Sequence, residues 1–189
     1  LKTTILGLLI VSTLQAQEKP SDAKMDFEEY DPPSTLVVPE HILTKSKFPF
    51  IDIHNHQFNM PTQNLAELVA QMDKLNMVVM VNLSGRGRGG AEHLEKSLEN
   101  VKTNYPKRFI VFTNMDFAAI DDELWQERML KQLEEDVKRG ANGLKIYKSL
   151  GMHNRDSKGN RIKIDDPRID PIWKKCADLG IPILIHSAD

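Results

Sequence analysis

The sequence predicts an α/β fold built on a parallel sheet. Three observations lead there. From residue 48 onward, short apolar runs with a β-branched bias alternate with amphipathic helical segments. The runs are apolar throughout, as strands covered on both faces must be. Each pair of runs is separated by enough chain for a crossover helix, which parallel pairing requires.

The elements follow in order. Phe50-Ile51-Asp52-Ile53 is the first strand. Leu65, Leu68, Val69, Met72 and Leu75 then recur at helical spacing. Met77 to Leu83 is the second strand, and Ala91 to Asn104 a helix with Leu94, Leu98 and Val101 along one side. Phe109 to Phe112 is the third strand. Leu124 to Arg139 is a helix closed by Gly140, placed as a C′ glycine. Gly143 to Tyr147 is the fourth strand. Pro167 to Leu179 is a helix with proline near its start and Gly180 at its end. Ile181 to Ile185 is the fifth strand. Two closures fit this alternation: an open doubly wound sheet or a (β/α)8 barrel. No Gly-x-Gly-x-x-Gly fingerprint follows the first strand, so a dinucleotide site there is poorly supported.

The residues before the domain divide in two. Lys2 is a positive start, Ile5 to Leu14 an apolar stretch too short to span a bilayer, and Ala16 a small residue before a polar run. This is the layout of a signal peptide over residues 1–16, which predicts export to a periplasmic or extracellular location, with no stable membrane anchor after cleavage. Residues 17–47 carry Pro20, Pro32, Pro33 and Pro39 among many charges and read as a linker or N-terminal arm. The domain occupies 48–189.

Composition narrows the function classes. A net charge of −2 offers no electrostatic footprint for nucleic acid or an anionic membrane. The one cysteine, Cys176, excludes an intrachain disulfide and a cysteine-based metal site. It falls on a helix and reads as inert.

Histidine carries the chemistry. His54 and His56 close the first strand, and residues two apart on a strand share a face. Two imidazoles therefore project together at the carboxyl end of the sheet, where α/β barrels place their active sites. Imidazole is the commonest protein metal ligand near neutral pH. A lone His-x-His reads as a pair of surface or core-satisfied histidines, but His186 ends the fifth strand in a matching place. In a closed barrel the first and fifth strands face each other across the axis, so His54, His56 and His186 could converge on one divalent ion. Taken alone, His186 would be a plain loop residue.

Three segments together resemble the amidohydrolase superfamily: Phe50-Ile51-Asp52-Ile53-His54-Asn55-His56, Asp165 to Trp173, and Leu179 to His186. The likeness covers residues 48–189. It is closest to the amidohydrolase-related branch that also holds aminocarboxymuconate-semialdehyde decarboxylase. The resemblance implies a metal-dependent (β/α)8 TIM barrel of which about five strands are present. It also implies that His54, His56 and His186 bind metal, most simply zinc. The family's strand-six histidine and strand-eight aspartate, the latter its general base, are expected past Asp189 in a longer natural chain.

Lys145 lies inside the fourth strand, where a charge is costly unless paired or modified. In dinuclear relatives a strand-four lysine is carbamylated and bridges two metals. The alternative is a pairing with a carboxylate such as Asp116. Ser84 to Gly90 follows the second strand and carries Arg86 and Arg88, which could clamp a substrate carboxylate. A flexible loop with solvated arginines fits as well. Met152 to Lys163 is a polar loop that could serve as a lid. His93 and His153 read as surface residues, and Trp125 and Trp173 as packing.

The resulting expectation is a metal-dependent hydrolase in which metal-activated water attacks a carbonyl-type bond of a small-molecule substrate. A decarboxylase of the same branch, with Arg86 or Arg88 holding the carboxylate, is the second expectation. A non-catalytic binding protein on the same fold is the third.

Overall fold

The computed structural model describes residues 30–37, 39 and 41–186. The signal-peptide reading falls outside them. The chain divides into the units Leu1–His41 and Ile42–Asp189. In the first, residues 30–37 and 39 form no helix or strand and are exposed. The second holds every element described here. It begins before the first strand, because Ser46 is tied in by two bonds: its backbone N–H donates to Leu75 O, and its carbonyl accepts from Asn76 Nδ2.

The described residues hold six strands: β1 (Phe50–Asn55), β2 (Met77–Asn82), β3 (Phe109–Val111), β4 (Thr113–Asn114), β5 (Leu144–Ile146) and β6 (Ile183–Ile185). The helices are α1 (Leu65–Leu75), α2 (Gly90–Asn104), α3 (Trp125–Arg139), a short α4 (Ser149–Met152) and α5 (Asp170–Asp178). All strand pairs are parallel, in the orders β1-β2-β3 and β4-β5-β6. The third run, read from the sequence as Phe109 to Phe112, thus continues past Phe112 into β4. The chain there changes partner: Phe112 N–H donates to Asn82 O at 2.9 Å, and Thr113 N–H to Gly143 O at 2.8 Å. One extended run serves both sheets.

Strand order therefore follows chain order without reversal. A doubly wound sheet needs a point where the order reverses, and the described residues contain none. Sequential order with crossovers of one hand keeps the helices on one face. The helices pack accordingly, α1 on α2, α2 on α3, and α3 on α5. Of the two closures, the arrangement fits the barrel type.

Local sequence explains the element ends. Asn64 caps α1 by accepting from Ala66 N–H, and Asn76 closes it in the left-handed region at φ 67°. Gly140 ends α3 at φ 123°, a conformation open to glycine. Gly143 is needed for space, since a Cβ there would stand 2.4 Å from the Phe112 ring.

The helix-facing core has two parts. Met72, Met80, Leu94 and Val111 fill one; Leu133, Leu144, Ile146, Ile172 and Cys176 fill the other. A fully buried leucine contributes about 1.5–3 kcal/mol. The opposite face of the sheet is packed by Val81, Leu83 and Phe112, with Ile110 and Leu184 against them. Leu144 and Ile146 face the helices, so Lys145 between them faces this other side.

The segment read as a lid is pinned. Arg155 and Arg161 form an antiparallel bridge, and Ile162 is fully buried. Arg168 joins it to its surroundings through Asp121, Asp156 and Asp166.

Cys176 sits in the helix-facing core, and burial pushes its thiol up to about 11. The thiolate is the reactive form. At about pH 8, native protein should therefore leave Cys176 unlabelled by a thiol reagent, while denatured protein should label one thiol per chain. Rapid labelling of the native protein would contradict this packing.

Candidate functional site

β1 and β6 bring the three strand-end histidines together. The ring centroids of His54 and His56 are 5.5 Å apart, and those of His54 and His186 are 5.2 Å apart. Both pairs meet edge to face. His186 is fixed to its neighbour strand by its N–H, which donates to Ile146 O at 3.0 Å. At the start of the site, Asp52 accepts from His54 N–H and from Asn55 Nδ2. Among the described residues, no three His, Cys, Asp or Glu side chains already stand at metal-ligand spacing.

His56 is the most constrained of the three. Its ring lies parallel to that of Phe58 at 5.8 Å and close to parallel with Tyr147 at 5.9 Å. Its Nδ1 meets Ser84 Oγ at 2.7 Å. Asn82, on β2, organises the backbone beside it. Asn82 Oδ1 accepts from both Gln57 N–H and Ser84 N–H, and its Nδ2 donates to Gln57 O. The residue after His56 and the residue that contacts its ring are thereby held by one side chain.

The electrostatics favour the neutral imidazole at His56 and His186. Burial, then His54, Lys145 and His186, hold His56 below the ordinary imidazole value. Burial, then Lys145, His54 and Lys148, do the same to His186. Neutral imidazole is the form that ligates metal.

Lys145 acts on both histidines from β5. Its side chain is fully buried, and among the described residues Nζ has no hydrogen-bond partner. Burial pushes its ammonium down toward the neutral amine. The pairing with Asp116 that the sequence allowed is not formed; Asp116 instead accepts from Ala118 N–H.

The two loop arginines have separate fates. Arg86 is drawn to the helix layer, where its Nη1 contacts both carboxylate oxygens of Asp136 at 3.0 and 2.9 Å. Asp136 is fully buried on α3 and also accepts from Thr113 Oγ1. Arg88 is exposed and lines a cleft of about 400 Å³ with Phe58, Asn59, Gly89 and His93.

Several residues here carried no usable sequence signal. His93, read as a surface residue, joins two loops: Nδ1 lies 2.8 Å from Gly85 O and Nε2 2.8 Å from Phe58 O. Ser84, Asn82 and Tyr147 are ordinary strand-end residues until the fold places them against His56. A hydroxyl or amide at a strand's carboxyl end was the only available clue.

The family model described as amidohydrolase matches residues 51–188. The chain belongs to the amidohydrolase family, and through it to the superfamily of metal-dependent hydrolases. No curated protein matches the chain.

Proposed function

We propose that this chain contributes the metal-holding part of a hydrolase active site that acts on a small molecule with a carbonyl-type bond. One observation carries the reading: three histidines from the first and last described strands meet beside a buried lysine whose amine has no partner among the described residues. The residues fit a divalent ion such as zinc. Imidazole nitrogens suit a borderline ion, and a partnerless buried amine is the kind of group that a ligand or modification would satisfy.

His54, His56 and His186 would hold the ion, and Lys145, in the carbamylated form, would offer a further oxygen ligand. A divalent ion held there would supply Lewis acidity, acidifying water and polarising the substrate carbonyl. The chain's own groups do the rest. Ser84 and Asn82 fix the His56 segment, and Leu184, the strand partner of Lys145, helps to keep water from it. The same reading takes the sheet as part of an eight-stranded barrel. Further βα units would cover Ile51 and Ile53 on β1 and Ile185 on β6, all exposed. They would bring the strand-six histidine and the strand-eight aspartate that the resemblance implies.

A decarboxylase reading draws on Arg88. With Arg86 taken up by Asp136, Arg88, which lines a cleft beside Phe58, would be the loop arginine to hold a substrate carboxylate. Release of CO2 from carboxylated aromatics, lost in Arg88→Ala, would favour it over hydrolysis.

The metal proposal is tested by zinc titration and metal analysis of the full protein. His54→Ala, His56→Ala and His186→Ala should each weaken zinc binding by more than the roughly 10–100-fold that outer-shell changes cost. Wild-type protein that takes up no divalent metal, or a His186→Ala variant that binds as wild type does, would overturn it.

A further inference from the structure

Ser84 and Tyr147 have a more definite task than packing beside His56. Three contacts run in line. His56 Nδ1 lies 2.7 Å from Ser84 Oγ, Ser84 Oγ lies 3.0 Å from Tyr147 Oη, and Tyr147 Oη lies 3.1 Å from Leu83 O. Each contact needs one hydrogen between its two heavy atoms. The hydroxyls of serine and tyrosine carry one each.

The far end of the chain decides the direction. Leu83 O is a carbonyl and can only accept, so Tyr147 donates its hydrogen there. The Tyr147 oxygen must then accept from Ser84, which commits the serine's single hydrogen. Ser84 Oγ is left as an acceptor toward His56, so the hydrogen in that contact sits on Nδ1. Reversing the order would set two lone pairs against each other at Tyr147 and Leu83 O. Asn114 Nδ2 also donates to Leu83 O, at 2.8 Å, but a carbonyl has two lone pairs and serves both donors.

We infer that Ser84 and Tyr147 are positioning residues that lock His56 as its Nδ1–H tautomer and leave Nε2 as the one ring atom with a lone pair to offer a metal. The purpose rests on the metal-holding reading above; the hydrogen order rests on the three contacts alone. A metal-ligating histidine commonly has its tautomer set by the bond its other nitrogen makes. Here the acceptor is a serine, which could equally donate, and Tyr147 removes that freedom. Ser84 is fully buried, with its backbone held by Asn82, so water cannot easily replace the serine as partner.

The two hydroxyl deletions separate this role from simple packing. In Tyr147→Phe, Ser84 loses the acceptor for its hydrogen and is free to donate to His56 Nδ1. The imidazole should then shift toward the Nε2–H tautomer although no atom touching it has changed. In Ser84→Ala the partner is removed, and both tautomers should appear. Ser84→Thr keeps the hydroxyl and should restore the wild-type order.

The test is a two-bond proton–nitrogen correlation spectrum of the full, metal-free protein with ¹⁵N-labelled histidine, recorded where the ring is neutral. His56→Gln identifies the His56 signals. Wild type should show a protonated Nδ1 and an unprotonated Nε2, and Tyr147→Phe should move that pattern. Titration with zinc alone should then show a loss of about 10–100-fold in affinity for Tyr147→Phe and Ser84→Ala. A wild-type Nε2–H tautomer, or an unchanged tautomer in Tyr147→Phe, overturns the relay. If Ser84→Ala does not fold, Tyr147→Phe carries the test, since it deletes one oxygen. The spectra need no metal, so failure of wild-type protein to bind zinc would refute the metal reading and leave the hydrogen order to be judged on its own. The predicted tautomers with unaltered zinc affinity in both variants would overturn the positioning role.

Discussion

Lys145→Met should make the metal-free protein more stable, by about 1–3 kcal/mol, and a poorer binder of divalent metal. The lysine side chain is fully buried, and its amine has no hydrogen bond among the described residues. An amine removed from water without a partner costs free energy in either protonation state, and burial already pushes it toward the neutral form. Methionine fills nearly the same length with apolar atoms and loses none of the contacts that the lysine stem makes with the sheet's inner face. It also removes the one group on β5 whose charged form disfavours protonation of His56 and His186. Such a group persists in a fold when function requires it, and stabilising variants at such sites commonly cost activity. Urea unfolding of metal-free wild type and variant measures the first effect, and zinc titration the second. A destabilised variant would mean that Lys145 is structurally satisfied; full retention of metal binding would remove it from the site.

The fold was legible where the sequence acts locally. Apolar runs marked the strands to within a residue or two, and Asn76 and Gly140 ended their helices in positive-φ conformations. The continuation of the third run past Phe112, and its change of partner there, were not legible, because the apolar pattern stops at Phe112. Which neighbour each residue bonds to is decided by register with Asn82 on one side and Gly143 on the other. The site shows the same boundary. His54, His56 and His186 stood out because a strand's end and parity place them. Ser84 and Tyr147 did not, since their partners lie 28 and 63 positions away. The alternation also placed Lys145 inside a strand, but only the packed structure shows that no carboxylate of the described residues reaches it.

The binding partner of Arg86 was equally hidden, 50 positions along the chain, and it supports the largest loss expected of a single substitution. Asp136→Ala should destabilise the protein by about 3–5 kcal/mol, the range for breaking a buried ion pair from one side. Asp136 is fully buried, and the Arg86 side chain is only 17% exposed. Removing the carboxylate strands the guanidinium, leaves Thr113 Oγ1 without its acceptor, and opens a cavity under α3. Arg139 also approaches Asp136, at 3.6 Å, but its side chain is 37% exposed and can turn to water. Asp136→Asn keeps the volume and should cost less, because the amide oxygen can still accept from one of the two donors. The damage should reach the histidines as well. Arg86 is anchored at its backbone by Asn114 Oδ1 and at its side chain by Asp136, and Ser84 lies two residues before it. A loosened Arg86 lets the β2–α2 loop move, and with it the hydroxyl that meets His56. Asp136→Ala is therefore expected to lower the denaturation midpoint and to blur the His56 tautomer, whereas Arg139→Ala should do neither. Equal losses in the two variants would show that Asp136 is held by general surface charge and not by the Arg86 pair.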